Sequence, residues 1–179
     1  MYNLAFKVQV MAKDNDAMVR TAACASEIQN GDVVVLDKYV TDADSKMVWE
    51  ATAPAATTAT GLWMVCSPEV VKTKLPDGTI ISGVDSNVRD FVNFAGEPLD
   101  VFKMAVGDLI EITPADATTY ASANYLGIEA DKFTLKPLSA APSAGFYMEK
   151  KRTTTYHGDD NGSFVKKQIP SYVYEVKVN

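Results

Sequence analysis

The chain has 179 residues, 47% hydrophobic and 22% charged, which excludes a disordered chain and allows a core without disulfides or metal. Its 17 basic and 23 acidic residues give a formal net charge of -6, a poor match for a nucleic-acid backbone, whose grip needs a basic face. No run of about 18 apolar residues offers a membrane span, and Met1 to Val10 alternates instead of forming a signal core, so synthesis in the cytoplasm is expected.

The chain opens with Leu4, Phe6, Val8, Val10 and Ala12 on one parity and Asn3, Lys7, Gln9 and Lys13 on the other, the period of a half-buried strand. Short β-rich runs follow at Val33–Tyr39, after Asn30-Gly31-Asp32, and at residues 46–51, 61–66 and 79–82. Leu75-Pro76-Asp77-Gly78 reads as a tight reversal, because proline presets its φ and glycine tolerates positive φ. Further runs lie at 99–105, 108–113, 132–136 and 145–152. This spacing predicts a mainly β protein, a sandwich or barrel-like domain with one or two short helices. The helix candidates are 114–122, opening on Pro114-Ala115-Asp116-Ala117, and 86–94, after a serine cap. Small-residue segments 53–60 and 139–145 read as loops.

The clearest local signal is the segment 151–167, in which Asn161-Gly162 separates two β-prone arms and predicts a β-hairpin. The arms are polar and charged, so the hairpin is expected to protrude or to form an edge. Tyr172, Tyr174, Val176 and Val178 then alternate as a final strand. The expected organisation is a main β domain over 1–150, with the hairpin arm and C-terminal strand of 151–179 packed on it. A local echo links Asn30-Gly31-Asp32-Val33 to Val106-Gly107-Asp108-Leu109, and shared turn chemistry explains it better than duplication.

Catalytic patterns are absent from the sequence. The single histidine, His157, falls at the start of the hairpin turn, where a base lacks packed support. No Cys-x-x-Cys pair, phosphate loop or nucleophile elbow occurs, and Cys24 and Cys66 sit in apolar segments as small hydrophobes. Asp42 with Asp44, and Asp159, Asp160 and Asn161, read as turn chemistry and not as calcium loops. Trp49, Trp63, Phe6, Phe102 and Phe133 are expected in the core, whereas Tyr120, Tyr125, Tyr147, Tyr156, Tyr172 and Tyr174 are the more plausible surface group. No catalytic, cofactor or metal residue is assigned. The candidate interface is the hairpin, through Tyr156, His157, Asp160, Asn161 and Phe164.

The stretch Ile28-Gln29-Asn30-Gly31-Asp32-Val33-Val34-Val35-Leu36, the alanine- and threonine-rich β segments after it, and Val106-Gly107-Asp108-Leu109-Ile110-Glu111-Ile112 resemble tailed-phage head decoration proteins. That resemblance covers the first two thirds of the chain and implies a structural virion protein with no enzymatic activity and no cofactor. It would bind the outer capsid lattice, self-associate as a small homo-oligomer, and need neither nucleic acid nor membrane. A fibre, a head-tail connector piece or a capsid insertion would look similar. A carbohydrate-binding or adhesin-like β module, or a hydrolase using two acids, is the alternative reading.

Overall fold

The computed structural model describes residues 4–13, 16–41, 47–68, 72–77, 79–82, 91–159 and 166–179. After β1 (Leu4–Gln9), short 3-10 turns at Met11–Lys13 and Asp16–Met18 lead into β2 (Val19–Cys24). Then come β3 (Val33–Tyr39), β4 (Trp49–Thr52), β5 (Trp63–Val65), a small antiparallel hairpin of β6 (Lys72–Lys74) and β7 (Ile80–Ser82), and β8 (Pro98–Lys103). The Pro76-Asp77 reversal joins β6 to β7, with the Asp77 carboxylate accepting from the Thr79 N–H at 2.9 Å.

Strands β2, β4, β3, β5 and β8 close into a barrel in that order, with β2 and β4 parallel and the other pairings antiparallel. Alternation decides which way each side chain points. Val34, Val65, Val101, Leu99, Ala22 and Ala51 turn inward and form one buried cluster. Their neighbours Val33, Met64 and Phe102 turn outward and join a different and larger cluster. An apolar outer wall on a closed barrel requires a second layer to cover it.

That layer comes from the rest of the chain. It comprises β9 (Leu109–Thr113), α1 (Ala117–Ser122), β10 (Tyr125–Gly127), β11 (Lys136–Leu138), β12 (Tyr147–Asp159) and β13 (Lys166–Val178). With β1 these strands form an antiparallel sheet in the order β1-β9-β13-β12-β10-β11. Its inner face, carrying Ile110, Ile112, Leu126, Met148, Tyr174 and Val176, packs on the barrel wall. Asp116 caps α1 by accepting from the Thr118 and Thr119 N–H groups.

The barrel is an insertion between two adjacent strands of this sheet. β1 pairs with β9, Gln9 facing Leu109, while the barrel occupies the chain between them. Buried Asp108 holds both ends of the insertion, one carboxylate oxygen accepting from the Met11 N–H and the other from the Ala105 N–H, each at 2.8 Å. The Asn179 side chain also links the layers, accepting from the Leu62 N–H and donating to the Leu62 and Met104 carbonyls.

The Asn30-Gly31-Asp32 and Val106-Gly107-Asp108 turns are the same structure twice. Gly31 and Gly107 have φ of 92° and 96°, a conformation that favours glycine. In each turn the aspartate carboxylate accepts from the backbone N–H three residues before it. Each glycine donates to a valine carbonyl across the ladder, Val65 or Val176, and that valine N–H returns to the aspartate carbonyl. The sheets that follow differ, since β4 comes after β3 while β1 comes before β9. Repeated turn chemistry accounts for the echo without a duplicated unit.

Several expectations need correction. Tyr120, Tyr172 and Tyr174 are buried: strand parity places the Tyr172 and Tyr174 rings on the inner face regardless of the hydroxyl, and Tyr120 is the buried residue of α1, its hydroxyl donating to the Leu135 carbonyl. Trp49, Trp63 and Phe133 are half-buried at the margin of the barrel cluster, whereas Phe102 is fully buried. The 132–136 run is irregular up to its last residue, and the strand is β11, which begins at Lys136. Of the 86–94 helix, residues 86–90 lie outside the described residues, and Asn93 forms an isolated bridge with Ile28 instead of a helical turn. The cysteine reading needs no such change: Cys24 and Cys66 are free thiols, Cys24 buried and Cys66 half-buried.

Candidate interaction surface

The two thirteen-residue strands, β12 and β13, run well past their other neighbours. β10 accompanies β12 only at Met148 and Glu149, and β9 accompanies β13 only from Tyr172 to Glu175. Beyond that, Thr154 to Asp159 pair with Lys166 to Ser171 in an unbroken register, Tyr156 facing Ile169 and His157 facing Gln168. These six residue pairs, at about 3.3 Å each, give a ribbon that reaches roughly 20 Å beyond the sheet. The predicted hairpin is thus present as a protruding arm. Residue 150, the expected boundary between body and arm, falls inside β12.

A two-stranded ribbon is marginal alone, so its root matters. Glu149 and Glu175 alternate with Lys151 and Lys177 in a cross-strand charge network, with contacts of 2.6 Å (Lys151 to Glu149), 3.0 Å (Lys151 to Glu175) and 2.8 Å (Lys177 to Glu175). Hydrogen bonding to these lysines holds both carboxyls below their usual range and raises Lys151. On the opposite face Lys150 donates to the Tyr120 and Ala121 carbonyls at the end of α1, and its ammonium lies 4.6 Å from the Tyr172 ring centre. Partial burial lowers the Lys150 pKa. Ser171 is buried and donates to Glu111 at 2.6 Å. These contacts fix the angle at which the arm leaves the body.

Of the predicted interface residues, Tyr156 is half-buried and His157 exposed, on successive positions and therefore opposite faces of the arm. Asp160, Asn161 and Phe164 lie outside the described residues. Sequence reasoning missed Lys150 and the charge network. The alternation of Glu149 with Lys151, and Glu175 with Lys177, was a usable signal, since cross-strand pairs of opposite charge support adjacent strands.

Elsewhere, a shallow recess of about 330 Å³ beside β8 is lined by Val19, Cys66, Ser67, Asp100 and Phe102, with one carboxylate among its described lining residues. No group of three or more metal-ligating side chains occurs among the described residues. The Tyr174 hydroxyl is buried without a hydrogen-bond partner among the described residues, and burial holds its pKa well above the usual range. Among the described residues no helix is long and apolar enough to cross a membrane.

Among the described carboxyls, Asp32 is the one shifted far from its ordinary range. Burial pushes its pKa up from the ordinary 3.8 to about 6, against the opposing effect of the Gln29 N–H bond. Between these values the folded chain holds a proton that the unfolded chain has lost, so stability falls as pH rises through this window. The full loss, about 3 kcal/mol, is reached above the folded value. Urea melts from pH 4 to pH 7 are expected to show this decline in the wild type and a flatter profile in Asp32→Asn.

No protein-family model matches the chain, and no curated protein or solved structure matches it.

Proposed function

We propose that this chain is a structural component of a tailed-phage virion that binds the outer surface of the capsid lattice and stabilises it, without catalysis. The observation that carries the reading is the arm, a long ribbon braced at its root by Lys150 and the charge network and projecting from a two-layer body. A braced arm can reach a neighbouring subunit, and repetition over a lattice turns modest single contacts into a firmly held coat. The resemblance of the two Gly-Asp turns and their strands to head decoration proteins supports the same reading.

Purified protein mixed with immature and with expanded heads of the phage that encodes it is expected to co-sediment with expanded heads, saturably and at a ratio matching lattice symmetry. Absence from both pellets overturns the proposal.

A second reading, a carbohydrate-binding module, draws on the tilted Tyr39–Trp49 pair, with ring centres 4.3 Å apart and Tyr39 48% exposed. Sugars stack on such faces. Tryptophan fluorescence that responds to a member of a glycan panel supports it; a flat response across the panel removes it.

A further inference from the structure

An asparagine followed by glycine carries both halves of a cyclisation, because the glycine nitrogen, unshielded by any side chain, can attack the asparagine amide carbon. Two such steps occur in the chain, Asn30-Gly31 and Asn161-Gly162, and the first lies among the described residues. In the folded barrel both of its reacting groups are engaged. The Gly31 N–H donates to the Val65 carbonyl at 2.9 Å. Asn30 donates through Nδ2 to the Ser67 carbonyl at 2.9 Å, and its Oδ1 accepts from the Ser67 N–H at 3.0 Å and from Asn93 Nδ2 at 3.4 Å. The residue is 3% exposed, so water and base are kept from it. Val65 ends β5 and Ser67 lies just past it, so parting that end of β5 from the turn before β3 frees the nucleophile and most of the electrophile's ties together. The turn itself does not require asparagine. Val106-Gly107-Asp108 repeats its backbone bonding with an exposed valine in that place.

We propose that Asn30-Gly31 is a latent self-modification site, sealed by the closed barrel, that reacts when the seam between β3 and β5 opens and whose product bars the seam from closing again. The Gly31 nitrogen, having given its proton to solvent, bonds to the Asn30 Cγ, and the bond from Cγ to Nδ2 breaks and releases ammonia. Water then opens the cyclic imide at one carbonyl or the other. The products are an aspartyl and an isoaspartyl chain, with no oxidant or other co-reactant consumed. In the aspartyl form a carboxylate oxygen replaces Nδ2 and meets the Ser67 carbonyl, two acceptors face to face in a buried place. In the isoaspartyl form the main chain is one carbon longer just before Gly31, whose φ of 92° and bond to Val65 set the register of the turn. Either product spoils the seam. The site therefore records each opening of the barrel and turns a reversible opening into a permanent one. The inference rests on the barrel alone and stands or falls separately from the capsid reading.

The full chain is incubated at mildly alkaline pH, folded and in guanidinium chloride, and conversion is followed by peptide mapping that resolves Asn30 from Asn161. In denaturant Asn30 is expected to convert at the rate of an unstructured Asn-Gly peptide, and in the folded chain at least about a thousandfold more slowly. Amide hydrogen exchange at Gly31 is expected to be slowed by the same factor, since one opening governs both. Asn93→Ala, which removes a tie to Asn30 Oδ1, is expected to raise the folded-chain rate several-fold and leave the rate in denaturant unchanged. On dilution from denaturant, the refolded fraction is expected to fall in step with the converted fraction, and Asn30→Asp to lower the denaturant midpoint. Conversion as fast in the folded chain as in denaturant, slowing unequal to that of Gly31 exchange, or converted chains that refold as wild type overturns the proposal.

Discussion

Asp108→Asn is expected to lower stability at neutral pH, whereas the same substitution at Asp32, in a turn of the same structure, is expected to raise it. The Asp108 carboxylate accepts two backbone N–H groups, from Met11 and Ala105, and is 4% exposed. Charge-assisted bonds of this kind each contribute about 1.5–3 kcal/mol. Asparagine keeps one acceptor and presents an amide N–H to the other donor, so a loss of about 3 kcal/mol follows, and alanine should lose about 4 kcal/mol. At Asp32 the carboxylate accepts from the Gln29 N–H, a bond that asparagine can keep, and the buried charge is what disappears. Removing it relieves up to about 3 kcal/mol at pH 7. Denaturant melts of both variants at pH 7 check the pair; shifts of the same sign would show that burial, and not the number of bonds accepted, governs these turns.

Gly145→Ala is expected to cost about 3 kcal/mol and to lower the melting temperature by about 10 °C. Gly145 has φ of +83°, and a Cβ there would sit 2.5 Å from the Thr58 Cα and 2.7 Å from the Thr57 carbonyl oxygen. These are backbone atoms with no rotamer to yield, and the Phe146 N–H to Ala59 carbonyl bond ties the same two loops together at 3.1 Å. Gly61 is the matched control, with φ of +72° and nothing within 4 Å, so alanine there should cost only about 1 kcal/mol. Calorimetry of the two variants separates steric contact from backbone preference. Equal shifts would mean that the loops part without resistance.

What the sequence reveals here is what depends on near neighbours. The Val33–Tyr39 strand is legible to the residue, because Gly31-Asp32 starts it and a β-branched run sustains it. The arm is legible from Asn161-Gly162 and its β-prone flanks, and α1 from Asp116. β2 is not, because Ala22, Ala23 and Cys24 are small, and only enclosure in the barrel gives them a place. β10 is three residues long, too short for a period to show. Tyrosine burial was readable from the parity of Tyr172, Tyr174 and Val176, but the hydroxyls suggested a surface; in a strand, parity outweighs the character of a side chain's tip. For the interface, local signals located the arm, while how far it stands free depends on where β9 and β10 stop.

The nesting of the barrel between β1 and β9 sets an order for assembly during synthesis. Residues 19–103 contain every strand of the barrel, so that unit can close while the remainder of the chain is still being made. β1, though it emerges first, waits for β9, and the sheet lacks its central member until β13 has left the ribosome. Contacts so distant in sequence form slowly. Throughout that interval the outward-facing Val33, Met64 and Phe102 have no cover. A barrel that closes at that point displays a sticky wall, and chaperone demand and yield on expression are expected to be decided at that stage.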